Sequence, residues 1–199
     1  MARYAIVSGY ADRDFSGALK LPPKTPPHKE PFSSDEVDAL WRDYEATGDP
    51  YTGAALIMIY TGMRPGELRD ARPELVYMDD GYMLGGHKTE AGRTGEIILV
   101  PTIRPLIQRL IVEGGLLKVS DTAFREHYMR ALERAGTRPH TIHECRHTTA
   151  TALARAGVHE SVIMAVMRHS SYAQTMDYTH VDRETKLKAI TPALHPVEE

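Results

Sequence analysis

The chain has 199 residues, of which 42% are hydrophobic and 26% charged, with a formal net charge of −3. That is enough for one well-cored domain, or one domain plus a fragment of another, and it argues against disordered and fibrous classes. There is no apolar run of the ~18 residues that a membrane span needs, the start MARYAIVSGY lacks a long apolar signal segment, and the single cysteine, Cys145, can form neither an intrachain disulfide nor a zinc knuckle, so a reducing, cytoplasmic setting with no membrane partner is expected.

In chain order, Ala2, Ala5, Ile6 and Tyr10 fall on one face of a short helix, followed by Asp12-Arg13-Asp14. Residues 22–27 then hold four prolines. Proline at that density breaks helices and stiffens an extended segment. Residues 21–31 read as an interdomain linker after a remnant, residues 1–20, of an upstream domain, or as a plain N-terminal arm. The globular part starts at residue 32. Ser33-Ser34-Asp35-Glu36 before Val37, Leu40 and Trp41 is a helix start with its cap and early acids. Residues 51–60 (YTGAALIMIY) are apolar nearly all round and predict a buried helix, closed by Thr61-Gly62. A short helix is expected over 66–71. Strands are expected over 75–78, 82–84 and 97–100, with a turn at Asp79-Asp80-Gly81 and a stop at Pro101. Helices are expected over 103–117, 120–135, 142–156, 159–167, a short piece at 172–178, and 183–190. Gly136 and Gly157 stand where C′ residues belong. The fold class is mostly α with a small antiparallel β-sheet.

Charge is unevenly distributed. Residues 88–155 carry 11 basic and 7 acidic side chains, mostly through arginine, whereas the whole chain is acidic. Arginine suits bidentate contact with phosphate. Within that stretch, His143-Glu144-Cys145-Arg146-His147 matches the H-E-x-x-H string of zinc proteases. A fixed cation at Arg146, on the side of His143, disfavours a bound dication, and Ala150 and Leu153 occupy the positions where the longer zinc motif needs glycine and histidine. No metal is therefore expected. The same helix presents His143 and Arg146, i and i+3, to one side, while Ile142, Cys145, Thr149, Leu153 and Ala156 form the neighbouring apolar face. An imidazole beside a guanidinium suits an anionic oxygen to be bound and a proton to be moved.

Four further pieces carry groups of the same kind. Thr61-Gly62-Met63-Arg64-Pro65-Gly66-Glu67-Leu68 puts Arg64 just past the buried helix, with Glu67 one turn on to orient it. His87-Lys88-Thr89 puts Lys88 at a hairpin turn. Met167-Arg168-His169 closes a helix, and Tyr178-Thr179-His180-Val181 follows. Singly each has an ordinary explanation: a surface ion pair, a solvated lysine, a helix-terminal histidine, a core tyrosine. Together and in this order they resemble the tyrosine recombinases, the phage-integrase family of site-specific DNA recombinases. TGMRPGEL resembles that family's first arginine box, HKT before EIILVP its β-hairpin lysine, TIHECRHTTATAL its H-x-x-R-H-T box, and MRHSSYAQTMDYTHV its second histidine and nucleophile. The resemblance runs from about Phe32 to about Ile190, and residues 2–19 resemble the last helix of the family's N-terminal core-binding domain. Two departures stand out. Cys145 replaces the usual leucine, and Met167-Arg168 replaces Leu-Gly before the histidine. Arg168 could alter activity or add a phosphate contact.

The resemblance implies a tyrosine recombinase or type IB topoisomerase-like catalytic domain that cleaves and rejoins DNA. Arg64, Arg146 and His169 would hold the non-bridging phosphate oxygens, Tyr178 would attack phosphorus, His143 would accept its proton, Lys88 would protonate the leaving 5′-oxygen, and Glu67 would support Arg64. The implied partners are double-stranded DNA attachment sites and other protomers of a synaptic tetramer, and no cofactor is implied. A topoisomerase would reseal the same strand, and a helical DNA-binding regulator would bind without covalent chemistry. The T-G-x-R-x-x-E-L and H-x-x-R-H-T wording favours the recombinase.

Overall fold

Ser33 sets the first helix. In a computed structural model, which describes residues 8, 10, 30–85, 95–116, 118–168 and 181–194, its hydroxyl accepts from the Glu36 amide at 3.3 Å, and Glu36 Oε2 accepts from the Ser33 amide at 2.9 Å. This reciprocal cap starts α1, Ser34–Thr47, which ends at Gly48. Asp49 then accepts from the amides of Tyr51 and Thr52, and Pro50 opens α2, Pro50–Thr61. Every residue of α2 after Pro50 is buried, because no side of the helix carries a charged group that would need water. Each fully buried Leu or Ile here contributes about 1.5–3 kcal/mol. Packing of α1 and of the later helices Asp121–Ala135 and Ile142–Arg155 on α2 makes it the axis of the core.

Gly62 ends α2 at φ +62. The short α3, Pro65–Arg69, follows at once. The sheet has three antiparallel strands in the order β1 (Val76–Tyr77), β2 (Tyr82–Gly85), β3 (Gly95–Ile98), with Met83 opposite both Val76 and Ile97. The first strand is shorter than its residues predict because Pro73 starts a 3-10 turn, Pro73–Leu75. The third lies two residues earlier than expected: Leu99 leaves the ladder and donates instead to the Gly81 carbonyl at 2.9 Å.

The single helix expected over 103–117 is three pieces. A 3-10 turn, Pro101–Ile103, leads into α4, Arg104–Ile107, and then a π-helical turn, Gln108–Val112. Pro101 opens the 3-10 turn and Pro105 stands in the first turn of α4, where a missing amide costs no intrahelical bond. At the far end Glu113 bonds back to the Gln108 carbonyl, and Gly115 to that of Arg109, which widens the last turn and stops it. The remaining helices are α5 (Asp121–Ala135), α6 (Ile142–Arg155), α7 (Glu160–Met167) and α8 (Arg183–Leu194). The last runs four residues beyond its predicted end and carries Pro192 in its final turn. Ala156, expected on the apolar face of α6, is its exposed C-cap. The helix expected at 172–178, and nearly all of residues 1–29, lie outside the described residues. Mostly helical with a small antiparallel sheet is therefore the observed class. Among the described residues no helix is long and apolar enough to cross a membrane.

α6 is tied to the core by its threonines. Thr149 donates to the Ile59 carbonyl of α2 at 2.6 Å, and Thr148 accepts from the Phe32 amide at 2.9 Å. Cys145 is fully buried, 3.3 Å from the Tyr128 hydroxyl. α8 seats Ile190 in the same core, with Leu187 half-buried beside it.

Candidate active site

Three chain segments bring arginines to one place. The left-handed Gly62 turns the chain out of α2 so that Arg64 stands at the start of α3. Arg146 lies on α6, one turn after His143, and Arg168 caps α7. Glu67 sits among them with its side chain 7% exposed. Its Oε1 accepts from Arg64 Nη1 at 2.9 Å, and its Oε2 accepts from the Arg64 amide at 2.7 Å and from Arg168 Nη2 at 2.9 Å. Arg146 is held by carbonyls at the ends of two helices: Nη1 donates to Gly62 O at 2.6 Å, and Nη2 donates to Met167 O. Helix C-termini carry partial negative charge and unpaired carbonyls, so both favour a guanidinium.

Charge in this cluster does not balance. Among the described residues, three guanidiniums face one carboxylate. Burial works to raise Glu67, but Arg168, the Arg64 amide and Arg64 outweigh it and hold the carboxyl below its usual range. Burial, followed by the charges of Arg64 and Arg168, pushes Arg146 down to about 9. A buried cation without its own anion is electrostatically costly. The cluster thus favours a further anion on its open side, where Arg64 is 43% exposed.

His143 is exposed on the first turn of α6. Glu144 of the H-E-x-x-H string turns inward: it accepts from the Thr141 amide at 2.6 Å and lies 3.3 Å from His140 Nδ1. It caps its own helix rather than joining His143. Lys88, His169 and Tyr178 lie outside the described residues. The chain on either side of them does not. Gly95, which ends the segment carrying Lys88, lines one cavity with Arg168 and Val181, which bracket the segment carrying His169 and Tyr178. Just past Tyr178, Arg183 lies 3.8 Å over the Tyr82 ring and forms a two-armed bond to Glu96, at 2.7 and 3.1 Å. That fixes the start of α8 to β2 and β3, the strands flanking the Lys88 segment.

Arg168 was visible in the sequence as a departure, but not as a buried member of the cluster. The only local signal was the lack of glycine at the end of α7, where the backbone turns left-handed, at φ 52.

A cationic cluster where two helix ends meet, beside the sheet of a mostly helical domain, suits an anionic oxygen. The sequence pattern of the phage integrase family matches residues 31–185, and the chain belongs to that family. The chain is similar to an integrase/recombinase from Escherichia coli, at 44% identity over 62 residues, 31% of this chain and 18% of that protein. It is also similar to the tyrosine recombinase XerD of Halalkalibacterium halodurans, at 26% identity over 94% of this chain and 68% of that one. Among solved structures, the integrase of mycobacterium phage Brujita superposes with a TM-score of 0.70 at 20% identity, covering 99% of this chain and 69% of that one. A lambda integrase dimer (residues 75–356) bound to a COC′ core site superposes with a TM-score of 0.60 at 17% identity, covering 90% and 71%. At these identities the superpositions establish the shared catalytic-domain fold.

Proposed function

We propose that this chain is the catalytic part of a site-specific DNA recombinase that integrates or excises a mobile element. The observation that carries the reading is the under-neutralised cluster of Arg64, Arg146 and Arg168 around Glu67. A phosphodiester carries charge on two non-bridging oxygens, and more gathers there as a nucleophile attacks. Arg64 and Arg146 bind those oxygens, and His169 adds a hydrogen bond. The Tyr178 phenolic oxygen forms a bond to phosphorus. Its reference pKa of about 10 leaves it protonated at neutral pH, so His143 takes the proton. The bond from phosphorus to the 5′-oxygen breaks, and Lys88 supplies the proton that makes that oxygen a leaving group. The products are a 3′-phosphotyrosyl protein and a 5′-hydroxyl. Attack by a partner strand's 5′-hydroxyl reverses the step on new DNA, and because the covalent link keeps the phosphodiester energy, neither nucleotide, metal nor other cofactor enters the balance.

Support for the placement of these groups comes from the shared cavity at the ends of the two segments that carry Lys88, His169 and Tyr178. The partners are double-stranded attachment sites and other copies of the chain in a synaptic tetramer, in the cytoplasm at the nucleoid. The prolines at 22–27 support reading residues 21–31 as a linker, residues 1–20 as a remnant of the last helix of an upstream core-binding domain, and residues 32–199 as the catalytic domain with its tail.

The test is trapping on a nicked attachment-site duplex, resolved on a denaturing gel. The parent chain should form a covalent adduct, and Tyr178→Phe should form none while shifting the same DNA in a native gel. An adduct from the phenylalanine variant, or one mapped to Tyr172 or Tyr128, refutes the assignment. Failure of the parent to form any adduct refutes the reaction.

A further inference from the structure

Arg168 has a geometry unlike that of Arg64. Its side chain is 5% exposed, against 43% for Arg64. Both terminal nitrogens are committed inward: Nη1 to the Val166 carbonyl at 2.9 Å, and Nη2 to Glu67 Oε2 at 2.9 Å and the Gly62 carbonyl at 3.3 Å. Its own carbonyl accepts from Arg64 Nη2 at 3.3 Å. It is also the described non-glycine residue with a left-handed backbone, at φ 52, a conformation that a β-carbon makes unfavourable. An unfavourable backbone kept by a buried ionic network marks a position held for a purpose.

That network has a direction. Glu67 is shared: one oxygen holds the Arg64 guanidinium, and the other holds the Arg64 amide and Arg168. Arg168 and Arg146 also share the Gly62 carbonyl. With Arg168 present, Glu67 cannot rotate away from Arg64, and the turn at Gly62 is pinned to the end of α7.

We propose that Arg168 is a positioning residue of the recombination site, which through Glu67 and the Gly62 carbonyl fixes the Arg64 guanidinium and joins the arginine turn to the chain leading into His169. This rests on the recombinase reading for what Arg64 does, but not for how Arg64 is held. Arg168 does not touch the phosphate, because its side chain is only 5% exposed and both terminal nitrogens donate to Glu67 and to backbone carbonyls, which leaves only the buried Nε without a partner among the described residues. It also replaces a backbone-only solution: a glycine would meet the left-handed turn without strain but would leave Glu67 to Arg64 alone.

The test compares the full chain with Arg168→Gly, Arg168→Lys, Glu67→Gln and the double variant Arg168→Gly/Glu67→Gln. Glycine adopts the left-handed turn freely, so the fold is spared that strain. Lysine keeps a charge opposite Glu67 and protects the buried pair should the glycine variant unfold. Two readouts are taken. The first needs no DNA: rotation of the Arg64 guanidinium about Nε–Cζ, followed in nitrogen-15 side-chain spectra. It should become freer in Arg168→Gly and, to a lesser degree, in Arg168→Lys. The second is single-turnover adduct formation on saturating nicked attachment-site duplex. Arg168→Gly should be slower by about 10²-fold, the order expected for a misplaced reacting group, with unchanged affinity in a native gel. The double variant should be slower than Glu67→Gln alone by far less than the Arg168→Gly factor, because both changes act mainly through the Glu67 carboxylate. An unchanged Arg64 spectrum in both variants, a parental rate, or multiplicative losses in the double variant each overturn the proposal. A parent chain that forms no adduct refutes the recombinase reading alone, and the Arg64 spectra then decide the positioning role by themselves.

Discussion

Glu67→Gln keeps the shape of the site and removes one charge. Glutamine offers one oxygen and one NH2, whereas the site asks for acceptors on both arms: Arg64 Nη1 at Oε1, and the Arg64 amide and Arg168 Nη2 at Oε2. Whichever way the amide turns, one arm sets a donor against a donor. The Arg64 partner is 43% exposed, so losing that ion pair alone costs at most about 1 kcal/mol. Arg168 is the larger part: its side chain is 5% exposed, and leaving a buried partner unpaired costs about 3–5 kcal/mol. For a domain of this size that lowers Tm by on the order of 10 °C. The pH dependence has a fixed sign. The Glu67 carboxyl is held below its ordinary range in the folded chain, against about 4.3 when unfolded. Its contribution is therefore complete above about pH 5 and is lost as pH falls through the folded value. Thermal unfolding followed by circular dichroism should show the full gap between parent and variant at neutral pH and a closing gap in acid. Equal melting temperatures at neutral pH, or a gap that widens on acidification, would refute the account of the cluster.

Other outcomes follow from single contacts. Gly62→Ala places a β-carbon 3.0 Å from Met167 Sδ at φ +62, so it should destabilise by about 1–2 kcal/mol from the left-handed strain alone, read by urea unfolding. Cys145 is fully buried, and its thiol is pushed up to about 12 by burial. It should resist iodoacetamide in the folded chain and react on unfolding, and alkylation at the rate of a free thiol in native buffer would contradict that. Lys88→Ala should cleave ordinary DNA about 10²-fold slower or worse, the loss expected for a general acid. A 5′-bridging phosphorothiolate, whose thiolate leaves without a proton, should restore most of that rate. Absence of rescue would move the acid elsewhere.

Some of this protein was written locally. The Ser33–Glu36 cap, the all-apolar run of α2 and the left-handed glycines after α2 and α5 each act within one or two helical turns, so residue order alone specifies them. The motif strings carried the family in the same way, because arginine, histidine, lysine and tyrosine stand at fixed places along the chain. Breaking of the expected 103–117 helix was less legible, since a π-turn depends on how Leu110 and Ile111 seat in the core as well as on the left-handed Gly114. What only the tertiary structure decided is the electrostatics of the site. Arg168 reads in sequence as a charged departure before a histidine, open to altering activity or adding a phosphate contact. Its burial against Glu67, 101 residues away, and the sharing of the Gly62 carbonyl with Arg146, 84 residues away, exist because α2, α6 and α7 converge. Charge burial depends on which atoms surround a group in space, and no local pattern along the chain encodes that neighbourhood.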